Sequence, residues 1–141
     1  NNLNDDKTII ISISAEIESQ IAQLENEIEK KEFLNSLGWN NSGLDRIIKS
    51  SYAKLDLITY FTTDEKKIRA WTVKKNSTAP DASSIIHTDF KKGFICAETT
   101  SFEDYIKYGG SKEAKENGKT RQEGKKYLVK DGDIIRFLFN V

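Results

Sequence analysis

The sequence predicts an α+β chain made of two unlike units: a strand–helix–helix segment over residues 1–57 and a small mixed sheet crossed by a helix over residues 58–141. Three observations predict it. Apolar residues recur at helical spacing up to about Leu55, then give way to short aromatic and β-branched runs. The charge reverses at the same place. Lys+Arg and Asp+Glu both total 22, yet residues 1–57 hold 6 basic and 10 acidic side chains (−4), leaving 16 and 12 (+4) for the rest. Tight connections, Asp64-Glu65 and Lys130-Asp131-Gly132-Asp133, join the short runs after Ile58.

Composition narrows the class. A chain of 141 residues buries roughly 68% of its unfolded surface, enough for a core without staples. One Cys permits no internal disulfide and fits a reducing, cytoplasmic setting. No apolar run approaches the roughly 18 residues of a membrane span, and Asn1–Asp6 lacks the basic start and apolar centre of a signal peptide. Collagen, disulfide scaffolds and disordered tails are excluded. The absence of Met suggests a piece of a longer protein.

The elements follow in order. Thr8–Ile13 is a β-branched run that reads as a strand buried on both faces. Ser14 suits an N-cap with Glu16 and Glu18 at the positive helix end, and Ile17, Ile21, Leu24 and Ile28 mark one amphipathic helix of roughly five turns. Gly38 ends the helical pattern. Ser42 restarts it with Asp45 in the reciprocal capping position, and Leu44, Ile47, Ile48, Tyr52 and Leu55 form the apolar face. That first strand has no partner strand in its own unit.

In the second unit, Ile58–Thr63 and Lys66–Val73 read as a hairpin across Asp64-Glu65. Pro80 opens a helix that runs to Ile86, and His87-Thr88-Asp89 reads as its C-terminal cap and turn. Phe94–Thr100 is a third strand, with Cys96 in it as a small buried residue. Ser101 caps a helix over Phe102–Tyr108 that ends at Gly109-Gly110. Residues 111–125 are polar loop with at most a helical turn. Tyr127–Val129 and Ile134–Phe139 flank Lys130-Asp131-Gly132-Asp133, a hairpin signal. The order β-β-α-β-α-β-β, a mixed sheet with a helix across one face, is the β-grasp, or ubiquitin-like, architecture.

Taken together, several stretches resemble the C-terminal part of the YchF, or Obg-like ATPase, family. They are Gly43–Ile48, Leu57–Thr62, Arg69–Thr72, Ala79-Pro80, Ile86–Phe90, Lys92–Ile95, Gly118-Lys119, Arg121, Glu123–Lys125, Val129–Asp133 and Phe137–Val141. The likeness runs from about Ile10 to the end, and its specificity lies in the joint order. It implies that residues 58–141 are a TGS domain, a β-grasp module. Residues 1–57 would be the C-terminal remnant of an Obg-type P-loop nucleotide-binding domain. The full-length relatives would bind ATP or GTP with Mg, with the fragment itself holding no cofactor, and would associate with ribosomes.

Ser14-Ala15-Glu16 resembles the family's last base-binding loop, at the strand-to-helix junction where open α/β sheets bind ligands. The plainer reading is that Ser14 is an N-cap, and it is preferred here. Gly118-Lys119-Thr120 mimics the end of a phosphate loop, but the first glycine of that motif would stand where Glu113 does. The fragment is therefore expected not to hydrolyse nucleotide, and the single His87 with Cys96 makes no metal site. Candidate RNA- or partner-binding residues are Arg69, Trp71, His87, Lys91, Lys92, Lys119, Arg121 and Lys125. Cations neutralise phosphate regardless of sequence, and Arg69 and Trp71 alternate to one side of a strand near Tyr60, where bases stack on open sheets. Trp71 is read first as a core residue. Expected partners are a ribosome or RNA, the nucleotide-binding domain of the same protein, and a second copy paired through 8–13. No membrane is expected. The alternative to RNA docking is a regulatory module packed on the nucleotide-binding domain.

Overall fold

The computed structural model describes residues 8–63 and 67–140. Asn1–Lys7, the Asp64-Glu65 connection, Lys66 and Val141 lie outside the described residues. The chain divides into two compact units, one up to Leu55 and one from Asp56.

The first unit holds α1 (Ala15–Gln23), α2 (Glu27–Ser36) and α3 (Gly43–Lys54). Local capping explains each start. The Ser14 hydroxyl accepts from the Ile17 N–H. Asn26 Oδ1 accepts from the Glu29 N–H at 2.9 Å. Ser42 and Asp45 close the expected reciprocal box. Gly38, with φ of 72°, turns the chain after α2. The Glu18 carboxylate reaches across to accept from the N–H groups of Gly43 (2.6 Å) and Leu44 (3.3 Å), tying α1 to the start of α3.

Two expectations for this unit are corrected. Thr8–Ile13 is not a strand. A β-branched run becomes a strand only where a neighbour supplies ladder partners, and among the described residues none pairs with it. Ile9, Ile10 and Ile13 are exposed, and the Ser12 carbonyl takes a hydrogen bond from the Arg46 guanidinium instead. The five-turn helix is two helices. Leu24 leaves helical geometry with ψ of 133°, Asn26 caps a new start, and Ile28 at 72% exposure lies off the apolar stripe. The α3 face is also less buried than expected, with Leu44, Ile48 and Leu55 exposed.

The second unit runs β1 (Leu57–Thr63), β2 (Ile68–Lys74), α4 (Ala79–Ile86), α5 (Thr88–Lys92), β3 (Phe94–Thr100), α6 (Phe102–Tyr108), α7 (Ser111–Glu116), β4 (Arg121–Glu123) and β5 (Ile134–Phe139). The sheet order is β2-β1-β5-β3-β4. β1 and β2 pair antiparallel from Leu57↔Lys74 to Thr63↔Ile68. β5 runs parallel to β1 and antiparallel to β3. This is the β-grasp. One face of the sheet carries Ile58, Tyr60, Val73, Ala97, Ile135 and Phe137 onto Ala79 and Ala82 of α4, and the buried Tyr60 hydroxyl donates to the Ala82 carbonyl at 2.8 Å. Helix α4 starts from a second reciprocal box, Thr78 with Asp81, with Pro80 in its first turn. The cap of α6 is Ser101, and Gly109, at φ of 83°, ends it.

The C-terminal hairpin does not form. The Lys130–Asp133 turn exists, with the Asp133 N–H donating to the Lys130 carbonyl at 3.2 Å, but its arms pair elsewhere. Val129 N–H donates to Ser77 O, and Leu128 bridges Thr78. Gly132 N–H donates to Thr59 O at 2.8 Å, and the Asp131 carboxylate accepts from Thr59 N–H. The turn is thus fastened to β1, which delivers β5 into the gap between β1 and β3. A turn signal fixes local geometry and leaves the partner open. Residues 111–125 hold α7 and β4, where a loop was expected, and α5 follows His87. Cys96 is half-buried because strand alternation turns its neighbour Ala97 inward. Gly93 is required by contact: its carbonyl accepts from Asn140 N–H at 2.8 Å, and a Cβ there would collide with the Asn140 carbonyl.

Candidate functional site

Each predicted residue has a definite place. Ser14, Ala15 and Glu16 begin α1. Ser14 Oγ and its carbonyl cap the helix, and the Glu16 carboxylate accepts from the Gln20 amide at 3.0 Å. Arg69 and Trp71 share the sheet face that carries the core, since Trp71 stands opposite Tyr60 and Arg69 opposite Thr62. The Trp71 ring is half-buried against the core, and its indole N–H donates to the Thr62 hydroxyl at 2.9 Å. With Tyr60 fully buried, these two aromatics do not form an open stacking platform. His87 serves two helices: it ends α4 and caps α5, its Nδ1 accepting from the Asp89 N–H at 3.3 Å.

The cations fall into two groups. Lys91 pairs with Asp81 at 2.7 Å, Lys92 with Asp89 at 3.7 Å and Arg121 with Glu123 at 3.1 Å. Arg69, Lys119 and Lys125 are exposed and make no ion pair among the described residues. Arg69 and Arg121 lie on β2 and β4, the two edges of the five-stranded sheet. Four strand spacings of ~4.8 Å place those edges ~19 Å apart. The structure therefore spreads the predicted residues round the unit rather than gathering them at one point.

The Lys91 ammonium holds the Asp81 carboxyl below its usual pKa of 3.8, with the Thr78 hydroxyl adding to it. A depressed folded-state pKa gives stability that is whole above the unfolded value and lost as pH falls through the folded one. Thermal melts between about pH 5 and pH 2 should show an acid-labile component that Asp81→Asn removes. At 44% exposure the pair is screened, and the component stays within about 1 kcal/mol. Identical pH slopes for both proteins would contradict it.

The sheet face turned away from α4 holds a cleft that the sequence did not reveal. Its volume is ≈550 Å³, and α6 and α7 form one wall. Thr63, Glu98, Thr100, Ile134 and Arg136 line it from the strands, Tyr105 from α6, Ser111, Lys112, Glu113 and Lys115 from α7, and Thr120 from the segment before β4. Thr63 Oγ1 and Ser111 Oγ are 3.1 Å apart, and Thr100 and Thr120 hydroxyls 2.9 Å. Lys115 Nζ pairs with Glu98 Oε1 at 2.6 Å. Arg136, opposite Glu98 across the β3–β5 ladder, makes no ion pair among the described residues. The available signal was Arg136 itself, a cation amid the apolar run of β5. Among the described residues no cluster of His, Cys, Asp and Glu is built to hold a metal, and no helix is long and apolar enough to cross a membrane.

A mixed five-stranded sheet packed on α4, with a separate helical unit before it, defines a β-grasp module. The comparisons name the kind. Residues 57–140 match the family YchF-GTPase_C, described as "Protein of unknown function (DUF933)". The chain is 55% identical over 132 residues to the "Ribosome-binding ATPase YchF" of Bacillus subtilis, covering 94% of this chain and 36% of that protein. It is 52% identical over 134 residues to the protein of the same name from Escherichia coli O157:H7, covering 95% and 37%. The solved "Structure of the Schizosaccharomyces pombe YchF GTPase" superimposes with a TM-score of 0.75 at 34% identity, over 89% of this chain and 33% of that one. A GTP binding protein from Pyrococcus horikoshii shares the fold, with a TM-score of 0.53 at 20% identity over 83% and 31%. The chain belongs to the YchF family and corresponds to its C-terminal part. It spans just over a third of the length of the curated relatives it matches.

Proposed function

We propose that the unit from residue 58 is the TGS domain of a YchF-type ATPase and docks that protein on the ribosome or its RNA. Residues 1–57 close the nucleotide-binding domain of the same protein. One observation carries this reading: identity of 52–55% to proteins named ribosome-binding ATPases runs through both units. The nucleotide, ATP or GTP with Mg, belongs on this reading to the rest of the protein, and the fragment does no hydrolysis. Of the candidate cations, Arg69, Lys119 and Lys125 make no ion pair among the described residues and are open to phosphate. Arg121, Lys91 and Lys92 would have to leave or share their carboxylates, and His87 and Trp71 complete the candidate set from separate places on the unit.

The test is co-sedimentation of the 141-residue chain with ribosomes at about 50 and 200 mM salt. Binding is expected at the lower salt, with a loss of tenfold or more at the higher. Lys119→Glu with Lys125→Glu should lower affinity roughly tenfold without changing the melting temperature. Reversing Lys91 is a poorer probe, because it also breaks the contact with Asp81. No sedimentation at low salt would sink the proposal.

The second reading is that the β-grasp unit is a regulatory or protein-interaction module packed on the nucleotide-binding domain. The exposed Ile9, Ile10, Ile13, Leu44 and Ile48 give the first unit an apolar face suited to the rest of that domain. This reading predicts a salt-insensitive complex with the separately expressed domain. A homodimer through 8–13 would have to form its strand on association, since none is present here.

A further inference from the structure

We propose that the cleft between α6–α7 and the sheet binds a small phosphomonoester carrying a hydroxylated ring, of pentose phosphate or mononucleotide size. This is separate from ribosome docking and stands or falls alone. The volume of ≈550 Å³ lies in the usual range for small-molecule sites.

The charge arrangement argues for an anion. Glu98 faces Arg136 across the ladder, but its carboxylate is taken by Lys115 at 2.6 Å. Among the described residues nothing takes the Arg136 guanidinium, whose planar fork of donors has the geometry that recognises phosphate oxygens in pairs. Lys112, also without an ion pair among the described residues, is the second cation of the lining. Among the described lining residues three cations face two carboxylates, Glu98 and Glu113, a net positive charge.

The neutral groups argue for what the anion is attached to. In each hydroxyl pair, Thr63 with Ser111 and Thr100 with Thr120, one O–H donates to the other oxygen. That leaves one hydrogen and several lone pairs per couple. Such pairs donate to a phosphate and accept from a sugar hydroxyl equally well, and Glu113 adds an acceptor. Tyr105 and Ile134 supply the apolar surface on which a ring lies. A bare carboxylate would leave most of these groups unused.

The probes are ribose 5-phosphate, AMP, ribose and inorganic phosphate, titrated into the isotopically labelled 141-residue chain with amide shifts as the readout. Ribose 5-phosphate and AMP should shift the amides of Thr100, Ser111, Thr120 and Arg136 saturably, and ribose should not. Arg136→Gln should weaken binding at least tenfold, and Lys112→Gln severalfold. Both side chains are exposed, so unchanged circular dichroism and melting are expected, and either variant alone keeps the test decisive. The proposal fails if no phosphate compound shifts these amides up to about 10 mM. It fails equally if Arg136→Gln binds as tightly as the parent, or if inorganic phosphate binds as well as ribose 5-phosphate.

Discussion

Tyr60→Ala is expected to destabilise the β-grasp unit by about 3–5 kcal/mol, the usual cost of truncating a buried aromatic. Tyr60 lies at the centre of the core and is fully buried. Its ring meets Phe137 edge-on, with centroids 6.0 Å apart, and its hydroxyl fastens β1 to α4 through the Ala82 carbonyl. Alanine would leave a cavity lined by β1, β5 and α4 and remove the tie between layers. Stability of a small domain totals about 5–15 kcal/mol, so the variant should sit close to unfolding. The urea midpoint should fall by roughly 2 M with the slope unchanged. Tyr60→Phe isolates the hydroxyl and should cost about 1 kcal/mol, because the Ala82 carbonyl also lies within α4's own hydrogen-bond ladder. An Ala variant with the parent's midpoint would show that the core is not centred there.

Asp133→Ala should cost about 2–4 kcal/mol, since hydrogen bonds to a charged group contribute more than neutral ones and their loss strands the partners. The side chain is buried. Its Oδ2 accepts from the Tyr127 hydroxyl at 2.7 Å and the Lys130 N–H at 2.9 Å. Burial first, and this hydrogen bond second, push the Tyr127 pKa up to about 12. Asp133 also leads directly into β5, and its carbonyl accepts from Phe61 N–H at 2.8 Å, the start of the parallel β1–β5 contact. Losing the carboxylate loosens the turn that aims β5 between its neighbours. Asp133→Asn keeps an acceptor and should lose less. The check is the order of thermal midpoints: parent, Asn, then Ala. Equal midpoints for all three would overturn the argument.

Particular residues show how much could be read in advance. The box at Ser42/Asp45, the helix start at Pro80, the Ser101 cap and the stops at Gly38 and Gly109 were all legible, as was the β1–β2 pairing. The site was less legible. Lys91, Lys92 and Arg121 looked like free cations, and each has an acidic partner. Trp71 reads first as a core residue with stacking as the alternative, and the pairing with Tyr60 turns it toward the core. The cleft could not be seen, because Thr63, Thr100, Ser111, Thr120 and Arg136 come from separate parts of the chain.

The amino-acid order by itself determined what a few neighbouring residues can decide: where helices start and stop, where turns fall, which runs favour extended backbone, and the family. A side-chain oxygen reaches an N–H three positions on whatever the rest of the chain does. The tertiary structure decided which extended runs become strands and which charges are cancelled. Thr8–Ile13 has strand composition and no ladder, while Arg121–Glu123 looked like loop and forms β4 against β3. A strand exists only through hydrogen bonds to a distant neighbour, and an ion pair only through a distant opposite charge.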